Sequence, residues 1–491
     1  MTTTPSPPVE HVPRRIRLLY GSGSIAEGTK NTAFNVFLLF YYNQVLGLSG
    51  TYTGAAIFVA LCVDAVTDPL VGKLSDHTHS RWGRRHPYMY AAGVPMGVSF
   101  FFLFDPPAGL GPEGLFAWLT VFAILVRVSM TLYSIPSGSM IPEMTSHYDE
   151  RTSLTAYRFT FGFLGGLGSS LLGYLVFFAE RDGVDGRLVA DSYHGFAAVC
   201  GILMFVAIMT CSLGTHRIIP LLRAPVEETP TLRSFFHDVR VLLANRSYRS
   251  VVLGLLFASA AGGFNDVVGL YMNTFFWEFT AEQIAIFVAA IIVAILLAAP
   301  LARPISERFD KKQSVMGMGV IAVFIGPLPV FLRLAGWMPA NGDPLLFWLL
   351  FVHAGVIVSL VFAISIIIAS MVSDTVDVHE LNTGKRQEGL IVSAVTFTQK
   401  AASGIGGFVA GVALDLIAFP RQIEGVVVPP EKLEALGYAV GPGLLGFYFL
   451  LLFFISRYRL TRSDHREVLA KLAESKHVDA AGAEDVGHKP A

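Results

Sequence analysis

Two carboxylates stand at the end of an apolar segment, where the side chains are expected to face a bilayer. The run TYTGAAIFVALC, residues 51–62, leads directly into Asp64 and Asp68, which lie one helical turn apart. One aspartate at the bilayer centre costs roughly 2.5–3.5 kcal/mol, and like charges at this spacing repel each other. A bound cation removes both penalties, and Thr67 adds a hydroxyl oxygen, so the pattern predicts a sodium or proton site. The alternative is that the carboxylates only accept hydrogen bonds from neighbouring helices.

The elements that must position this pair are membrane-spanning helices. The chain has 491 residues, of which 53% are hydrophobic and 15% are charged, whereas soluble chains carry about 25% charge. A helix needs roughly 20 apolar residues to span the hydrocarbon layer. The candidate spans lie near residues 18–47, 51–75, 87–105, 114–142, 153–178, 194–216, 249–277, 281–303, 314–335, 345–374, 389–419 and 439–457. We therefore expect an all-α integral membrane protein with twelve transmembrane helices.

A long polar connection divides these spans into two sets of six. The predicted parts are a cytoplasmic N-terminal segment 1–17, an N-terminal bundle 18–216, a cytoplasmic middle loop 217–248, a C-terminal bundle 249–457 and a cytoplasmic tail 458–491. Most Lys and Arg residues fall on one side of this arrangement, which favours an orientation with both termini in the cytoplasm. We expect no cleavable signal peptide before the first span, because no short apolar segment with a small-residue cleavage site precedes it. We expect a multi-pass protein of the plasma (inner) membrane.

The two sets of six repeat each other weakly. Arg158 on the fifth span and Lys400 on the eleventh are each followed by glycine four and seven residues later. The loops after the second and the eighth span are both basic, SRWGRR and SERFDKK. Such matches are typical of a repeated six-helix unit, as found in secondary transporters. The sequence therefore predicts two pseudo-symmetric six-helix bundles.

Other intramembrane polar residues leave several interpretations open. Glu27 and Lys30, three residues apart, could line a cavity or simply neutralise each other. Arg127 lies one turn before a threonine of the fourth span, so it faces either the cation site or another helix. Asn265 and Asp266 follow the glycines of AAGG on the seventh span, where a broken or flexible helix would expose polar groups to a substrate.

Basic residues after the second span predict a cytoplasmic gate. Arg81, Arg84 and Arg85 would lie near acids that follow other spans, including Asp374 and Asp377. Charge pairs between them could hold the cytoplasmic side shut. Alternatively, these arginines only set the topology, which the positive-inside rule already requires.

Ordered motifs over most of residues 16–460 resemble those of the glycoside–pentoside–hexuronide:cation symporter family, typified by the melibiose permease. The motifs are Asp64-x-x-Thr67-Asp68-Pro69 followed by Gly72 and SRWGR at 80–84, YGSG at 20–23, SIPSGSMIP at 134–142, LTAYR at 154–158, SDTVD at 373–377 and TGKRQEG at 383–389. The resemblance implies a major facilitator fold and solute uptake driven by sodium or protons.

The resemblance also implies roles for individual residues. Asp64 and Asp68 match the paired acids of the cation site, Thr131 matches a threonine beside the cation, and Thr67 replaces an asparagine. Arg158 matches a substrate-site arginine, and Lys400 matches a lysine near both sites.

The chain departs from this pattern where the family holds its sugar. Glu27 and Gly28 replace a Lys-Asp pair on the first helix, and Ser134 replaces a second sugar-binding aspartate on the fourth. Gly138 replaces a tryptophan shortly after it. The resemblance therefore supports the symport mechanism better than a galactoside cargo.

Three classes of function compete. The leading one is cation-coupled symport of a sugar- or glycoside-like solute by alternating access. A second keeps the mechanism and carries a lysolipid or another organic amphiphile or acid. The third, a non-transporting membrane sensor, is disfavoured because the soluble parts are too short for a signalling domain. We expect no enzymatic turnover, no cofactor beyond the coupling ion and no metal beyond sodium. The expected partners are a small solute and the bilayer but no nucleic acid, and the chain is expected to act as a monomer.

Overall fold

The computed structural model describes residues 12–145, 147–222, 240–384, 387–421 and 428–486, and these residues are largely helical. Most of the predicted middle loop and the ends of both termini lie outside the described residues. The helical runs are α1 (residues 14–45), α2 (Gly50–His77), α3 (His86–Leu103), α4 (Pro112–Met144), α5 (Tyr148–Leu172), α6 (Ala190–Thr215), α7 (Arg246–Tyr271), α8 (Ala281–Arg308), α9 (Lys311–Leu334), α10 (Pro344–Thr383), α11 (Glu388–Leu416), α12 (Pro430–Ser456) and α13 (Arg462–Val486).

The predicted all-α membrane architecture is confirmed. Among the described residues, nine helices are long and apolar enough to cross a membrane. The three other predicted spans coincide with α1, α3 and α11. The helix α10 runs for 40 residues and ends well beyond the predicted boundary at 374, so the acids predicted for the gate lie within a helix.

Local sequence explains where several helices begin and end. Ser49 caps α2, since its hydroxyl accepts from the Tyr52 amide. Asp343 caps α10 in the same way by accepting from the Leu345 amide. The same helix ends at Gly384, which adopts a left-handed conformation with φ of 69° that glycine takes without steric cost.

The helices α1 and α7 end in the same unusual way. Each finishes in a π-helical turn, Tyr41–Val45 and Met272–Phe276. A left-handed residue follows each turn, Gly47 with φ of 78° and Glu278 with φ of 52°. The next amide closes the chain onto a carbonyl six residues earlier in both cases, at 2.8 Å. The shared backbone ending supports the predicted repeat between the two halves.

The described chain divides into two compact units. Unit 1 contains residues 1–229, 263–289 and 404–437, and unit 2 contains residues 230–262, 290–403 and 438–491. These units differ from the predicted bundles 18–216 and 249–457, which stay a prediction. The difference arises because the final parts of α7 and α11 pack on the N-terminal helices. For example, the Tyr271 hydroxyl donates to the Asn43 side chain at 2.9 Å.

Each unit has its own packing. In unit 1, glycines bring helices into backbone contact: a Cβ on Gly97 of α3 would lie 3.0 Å from the Gly201 carbonyl oxygen of α6. In unit 2, a buried apolar cluster joins α7, α8, α9, α10 and α12, with Tyr248, Met371 and Ile455 among its members. The helices that carry the predicted cation site, α2 and α4, both belong to unit 1.

Candidate functional site

The two acids of α2 meet a single hydroxyl of α4. Thr131, 1% exposed, places its Oγ1 2.9 Å from an Asp64 oxygen and 2.8 Å from an Asp68 oxygen. Asp64 is itself buried, with 7% of its surface exposed. The structure therefore brings together the acid pair and the threonine that the sequence assigned to a cation site.

The shared hydroxyl has a single hydrogen to give. A threonine hydroxyl can therefore donate to one of the two carboxylate oxygens at a time. The structure thus holds two carboxylates close together around one donor, and carboxylate oxygens are groups that can accept a proton or a hard cation.

Arg127 lies on the same face of α4 and reaches the same acid. Its Nη1 is 3.3 Å from Asp64 Oδ2, and its guanidinium lies over the Phe34 ring of α1 at 5.1 Å. The residue is 8% exposed, and its Nε is buried with no hydrogen-bond partner. Of the two interpretations left open by the sequence, Arg127 faces the acid pair.

Thr67 lies on α2 between the two acids in sequence, and its role in cation binding stays a prediction. Its hydroxyl donates to the Asp64 backbone carbonyl at 3.2 Å, as threonines within helices commonly do. The side chain is half-buried on α2. Thr67 therefore supports the helix beside the acid pair in this structure.

A second polar cluster surrounds Arg158 of α5. Its Nη1 donates to the hydroxyl of the buried Tyr20 at 3.3 Å, and its Nη2 lies 3.8 Å from a Glu27 oxygen. The Tyr20 hydroxyl in turn donates to the Ser137 carbonyl at 2.7 Å. Arg158 and Glu27, both predicted for the substrate site, are thus brought together. The Glu27 side chain is 36% exposed, so its contact with Arg158 lies at the more exposed side of this cluster.

Two glycines stand at the positions where the melibiose permease has sugar-holding side chains, and they differ in their surroundings. A Cβ on Gly28 would overlap the carbonyl oxygen of Gly162, because α1 and α5 touch there through their backbones. A Cβ on Gly138 would lie 3.0 Å from Arg158 Nη1. At the position of the permease's aspartate, this chain has Gly28 in contact with the backbone of α5. At the position of its tryptophan, this chain has Gly138 beside the Arg158 guanidinium.

The other predicted substrate residues lie on separate helices. Ser134 is half-buried on α4, one turn before Gly138. Asn265 and Asp266 are exposed on α7, and Lys400 is exposed on α11. Of the two alternatives for the seventh helix, the break is wrong, since α7 is continuous from Arg246 to Tyr271, and the flexible helix stays a prediction. A run of glycines lowers helix propensity without preventing a helix that its neighbours hold.

The arginines predicted for the gate have partners in their own unit. Arg85 is 4% exposed, and its guanidinium donates to Glu143 of α4 at 2.8 and 3.0 Å and to Ser75 of α2 at 2.7 Å. Arg84 reaches the same Glu143 oxygen at 3.3 Å. Arg81 is exposed and lies 5.1 Å from the ring of Trp82.

The acids predicted for the gate are paired in unit 2. Lys311 Nζ lies 2.6 Å from Asp374, and the His465 ring of α13 lies 3.0 Å from Asp377. His465 connects the tail helix to α10 in this way. The gate therefore stays a prediction. Its arginines and its acids each have partners within their own unit, which the sequence did not indicate.

Two further sites escaped the sequence analysis. Glu143 follows Pro142 at the end of an apolar span, which is a visible signal for a buried acid. Asp415 of α11 accepts from the amides of Gly50 and Thr51 at the start of α2, at 3.2 and 2.8 Å. An acid at a helix N-terminus is stabilised by the helix dipole, but no sequence pattern links positions so far apart.

Comparison with known proteins agrees with this architecture. A family model described as MFS/sugar transport protein matches residues 19–462. The chain is 25% identical to the isoprimeverose transporter of Lactiplantibacillus pentosus, over 82% of this chain and 80% of the relative. It is also 25% identical to an inner membrane symporter of Escherichia coli (strain K12), over 93% of this chain and 94% of that one.

A vertebrate relative and a solved structure extend the comparison. The sodium-dependent lysophosphatidylcholine symporter 1 of Gallus gallus is 24% identical, over 94% of this chain and 90% of the relative. The crystal structure of a nucleoside transporter aligns with a TM-score of 0.60 and 13% identity, over 91% of this chain and 98% of that chain. At this identity the solved structure supports the fold alone.

Proposed function

The chain belongs to the MFS/sugar transport protein family, and on this premise we propose that it is a symporter which couples solute uptake to a cation bound between α2 and α4. The observation that carries the proposal is the single Thr131 hydroxyl between two carboxylates, at 2.9 and 2.8 Å. Two carboxylates around one hydroxyl place several oxygen acceptors together, and such oxygens can bind a hard cation or a proton. The proposed coupling ion is a sodium ion or a proton.

Coupling follows from the cost of charge in the membrane. An acid pair that lacks its cation carries unbalanced negative charge, which is costly in a low-dielectric interior. Cation binding removes this charge and lets the loaded protein change between outward-open and inward-open states. Asp64, Asp68 and Thr131 are the proposed ion-binding residues, with Thr67 supporting the helix beside them.

The proposed cargo is a small sugar-like or glycoside-like solute that contacts Arg158 and Glu27. Arginine and glutamate offer donors and acceptors for hydroxyl groups, and the sugar transporter among the relatives supports this class. We propose four further substrate contacts: Ser134, Asn265, Asp266 and Lys400. Both termini are proposed to face the cytoplasm, and the protein is proposed to work as a monomer.

A lysolipid or another amphiphilic acid is the second candidate cargo. Gly28 leaves no room for the sugar-holding aspartate of the melibiose permease, because a Cβ there would overlap the Gly162 carbonyl oxygen, and a lysophosphatidylcholine symporter is among the relatives. Arg158 would then pair with the anionic group of the cargo. Competition experiments separate the two candidates.

The test is uptake by purified protein in proteoliposomes. Labelled glycosides, sugar acids and lysolipids are screened under separately imposed sodium and proton gradients. We expect concentrative uptake of one class that collapses with one gradient and is abolished in Asp64→Asn and in Asp68→Asn. Glu282→Gln, in the first turn of α8, serves as a matched control that removes an acid far from the pair in sequence. Undiminished accumulation in both aspartate variants would falsify the ion-site assignment.

A further inference from the structure

We propose that a groove between α3 and α6 binds an acyl chain of a bilayer lipid whose headgroup carries a primary ammonium, as in phosphatidylethanolamine. Asp105 and Asp191, at one end of the groove, bind the ammonium. Both helices belong to unit 1. The groove shares no residue with the candidate ion and substrate clusters, so the inference goes beyond the proposed function and does not depend on the cargo.

The groove is apolar along its whole length. Its volume is about 470 Å³, within the usual range for a small-molecule pocket, about 300–1,000 Å³. At its base, Gly97 and Gly201 bring the two backbones together. Apolar side chains form the walls: Val94, Val98 and Phe102 of α3 and Ala198, Ile202 and Phe205 of α6. Ile202 is 64% exposed. An exposed apolar lining of this kind is suited to a hydrocarbon chain.

The length of the groove matches one leaflet of the bilayer. From Val94 to Phe102 a helix rises about 12 Å, whereas the hydrocarbon core is about 30 Å thick, or about 15 Å for one leaflet. At the Phe102 end, the Trp118 indole of α4 donates to the Phe102 carbonyl at 2.7 Å. Tryptophan is enriched at the membrane interface, so this end of the groove lies near the lipid headgroups.

Both groove faces continue into an acidic end. Asp191 and His194 precede Ala198 by seven and four residues, which places them on the same face of α6. Asp105 follows Phe102 by three residues, just beyond the end of α3. The His194 ring joins the two acids, with Nε2 3.4 Å from Asp105 and Nδ1 3.6 Å from Asp191. The two aspartates are therefore held together where the groove ends.

The charge at this end favours an ammonium group. Two carboxylates beside one imidazole carry net negative charge in either protonation state of His194, and the Asp191 side chain is 95% exposed. The nearby Arg187 is paired with Asp185 at 2.6 Å, and residues 104–111 contain no Lys or Arg. No cluster of His, Cys, Asp or Glu in the described parts of the chain has a metal-binding arrangement. A primary ammonium offers three N–H donors to carboxylates, whereas the trimethylated ammonium of phosphatidylcholine offers none.

Lipid titration of the purified full-length protein, followed by native mass spectrometry, tests the inference. Phosphatidylethanolamine and phosphatidylcholine with identical acyl chains are compared. We expect the wild type to bind phosphatidylethanolamine on the order of tenfold more tightly, because two carboxylates attract an exposed ammonium even in water. The double variant Asp105→Asn with Asp191→Asn should lose this preference, and Glu113→Gln, which removes an exposed acid of α4, should keep it. Equal affinity for the two lipids in the wild type overturns the inference, and so does a preference that persists in the double variant.

A second pair of variants tests the groove itself. Ala198→Phe fills the groove from a half-buried position and should weaken both lipids about equally. Val199→Phe makes the same change at an exposed neighbour outside the lining and should leave both affinities as in the wild type. Unchanged lipid affinity in Ala198→Phe overturns the inference. If this variant instead turns a dimer into a monomer while lipid binding persists, the groove is an interface between two copies of the chain, and the lipid assignment is wrong.

Discussion

Replacement of the buried Arg85 by methionine should destabilise the N-terminal helices strongly. The Arg85 guanidinium is the main partner of Glu143, whose side chain is 8% exposed and whose second oxygen already lacks a hydrogen bond. Loss of one partner of a buried ion pair costs about 3–5 kcal/mol, because the other charge stays buried without compensation. Arg84 remains 3.3 Å from the same oxygen and still compensates part of its charge. The expected loss in the free energy of unfolding is therefore near the lower end of this range, about 3 kcal/mol.

The assay is chemical unfolding of the purified protein in mild detergent. Arg81→Ala is the matched control, since Arg81 is an exposed arginine of the same loop and its loss should cost less than about 0.5 kcal/mol. A second variant, Arg85→Met with Glu143→Gln, removes the buried charge at Glu143. Asp76, the other acid that pairs with Arg85, has 25% of its side chain exposed to solvent, so this variant should still recover more than half of the lost free energy. This recovery distinguishes a buried ion pair from a loss of general packing.

The result also bears on the predicted gate. If Arg85 acts mainly as a latch for acids of other helices, its loss changes the balance of conformations and leaves the free energy of unfolding close to that of Arg81→Ala. An unfolding free energy for Arg85→Met equal to that of Arg81→Ala would refute the reasoning from the buried pair.

Two further predictions concern helix contacts. Asp415→Ala leaves the amides of Gly50 and Thr51 without their acceptor, so their hydrogen exchange should speed up about tenfold, as a lost capping contact of about 1.4 kcal/mol requires. Unchanged exchange at these two amides would contradict the assigned contact. Gly28→Asp should not restore sugar binding, because its side chain meets the Gly162 carbonyl, and overpacking of this kind costs about 1–3 kcal/mol. A variant that unfolds like the wild type and gains affinity for a galactoside would show this packing argument to be wrong.

Much of the candidate ion site follows from the sequence because its signals are local. Two acids four residues apart in an apolar run identify a face of one helix without any knowledge of the fold. Thr131 required the family resemblance, since nothing in the sequence alone pairs a threonine of α4 with acids of α2. The structure adds the distances that make its hydroxyl a shared partner of both.

The partners of Arg127 and Arg85 could not be predicted with the same certainty. Periodicity placed Arg127 on the face of Thr131 but left open which neighbouring helix that face meets. Arg85 pairs with Glu143 because α3 packs beside α4, and hydropathy contains no information on which helices are neighbours. The seventh helix was misjudged for a related reason, since glycine propensity is a weak signal that packing overrides.

The matching ends of α1 and α7 give a register for comparison of the two halves by backbone shape. The shift in numbering that aligns Tyr41 with Met272 also aligns Gly47 with Glu278. The two residues with left-handed backbone conformation therefore fall at the same position of the alignment. The same shift takes Phe34, whose ring lies against Arg127, to Asn265. The backbones differ at this place, because Phe34 lies in a π-helical turn, Ala33–Phe37, whereas Asn265 lies in regular α-helix. The two helices therefore share the geometry of their ends and part from each other two turns earlier, where α1 places an aromatic ring against Arg127 and α7 exposes an amide.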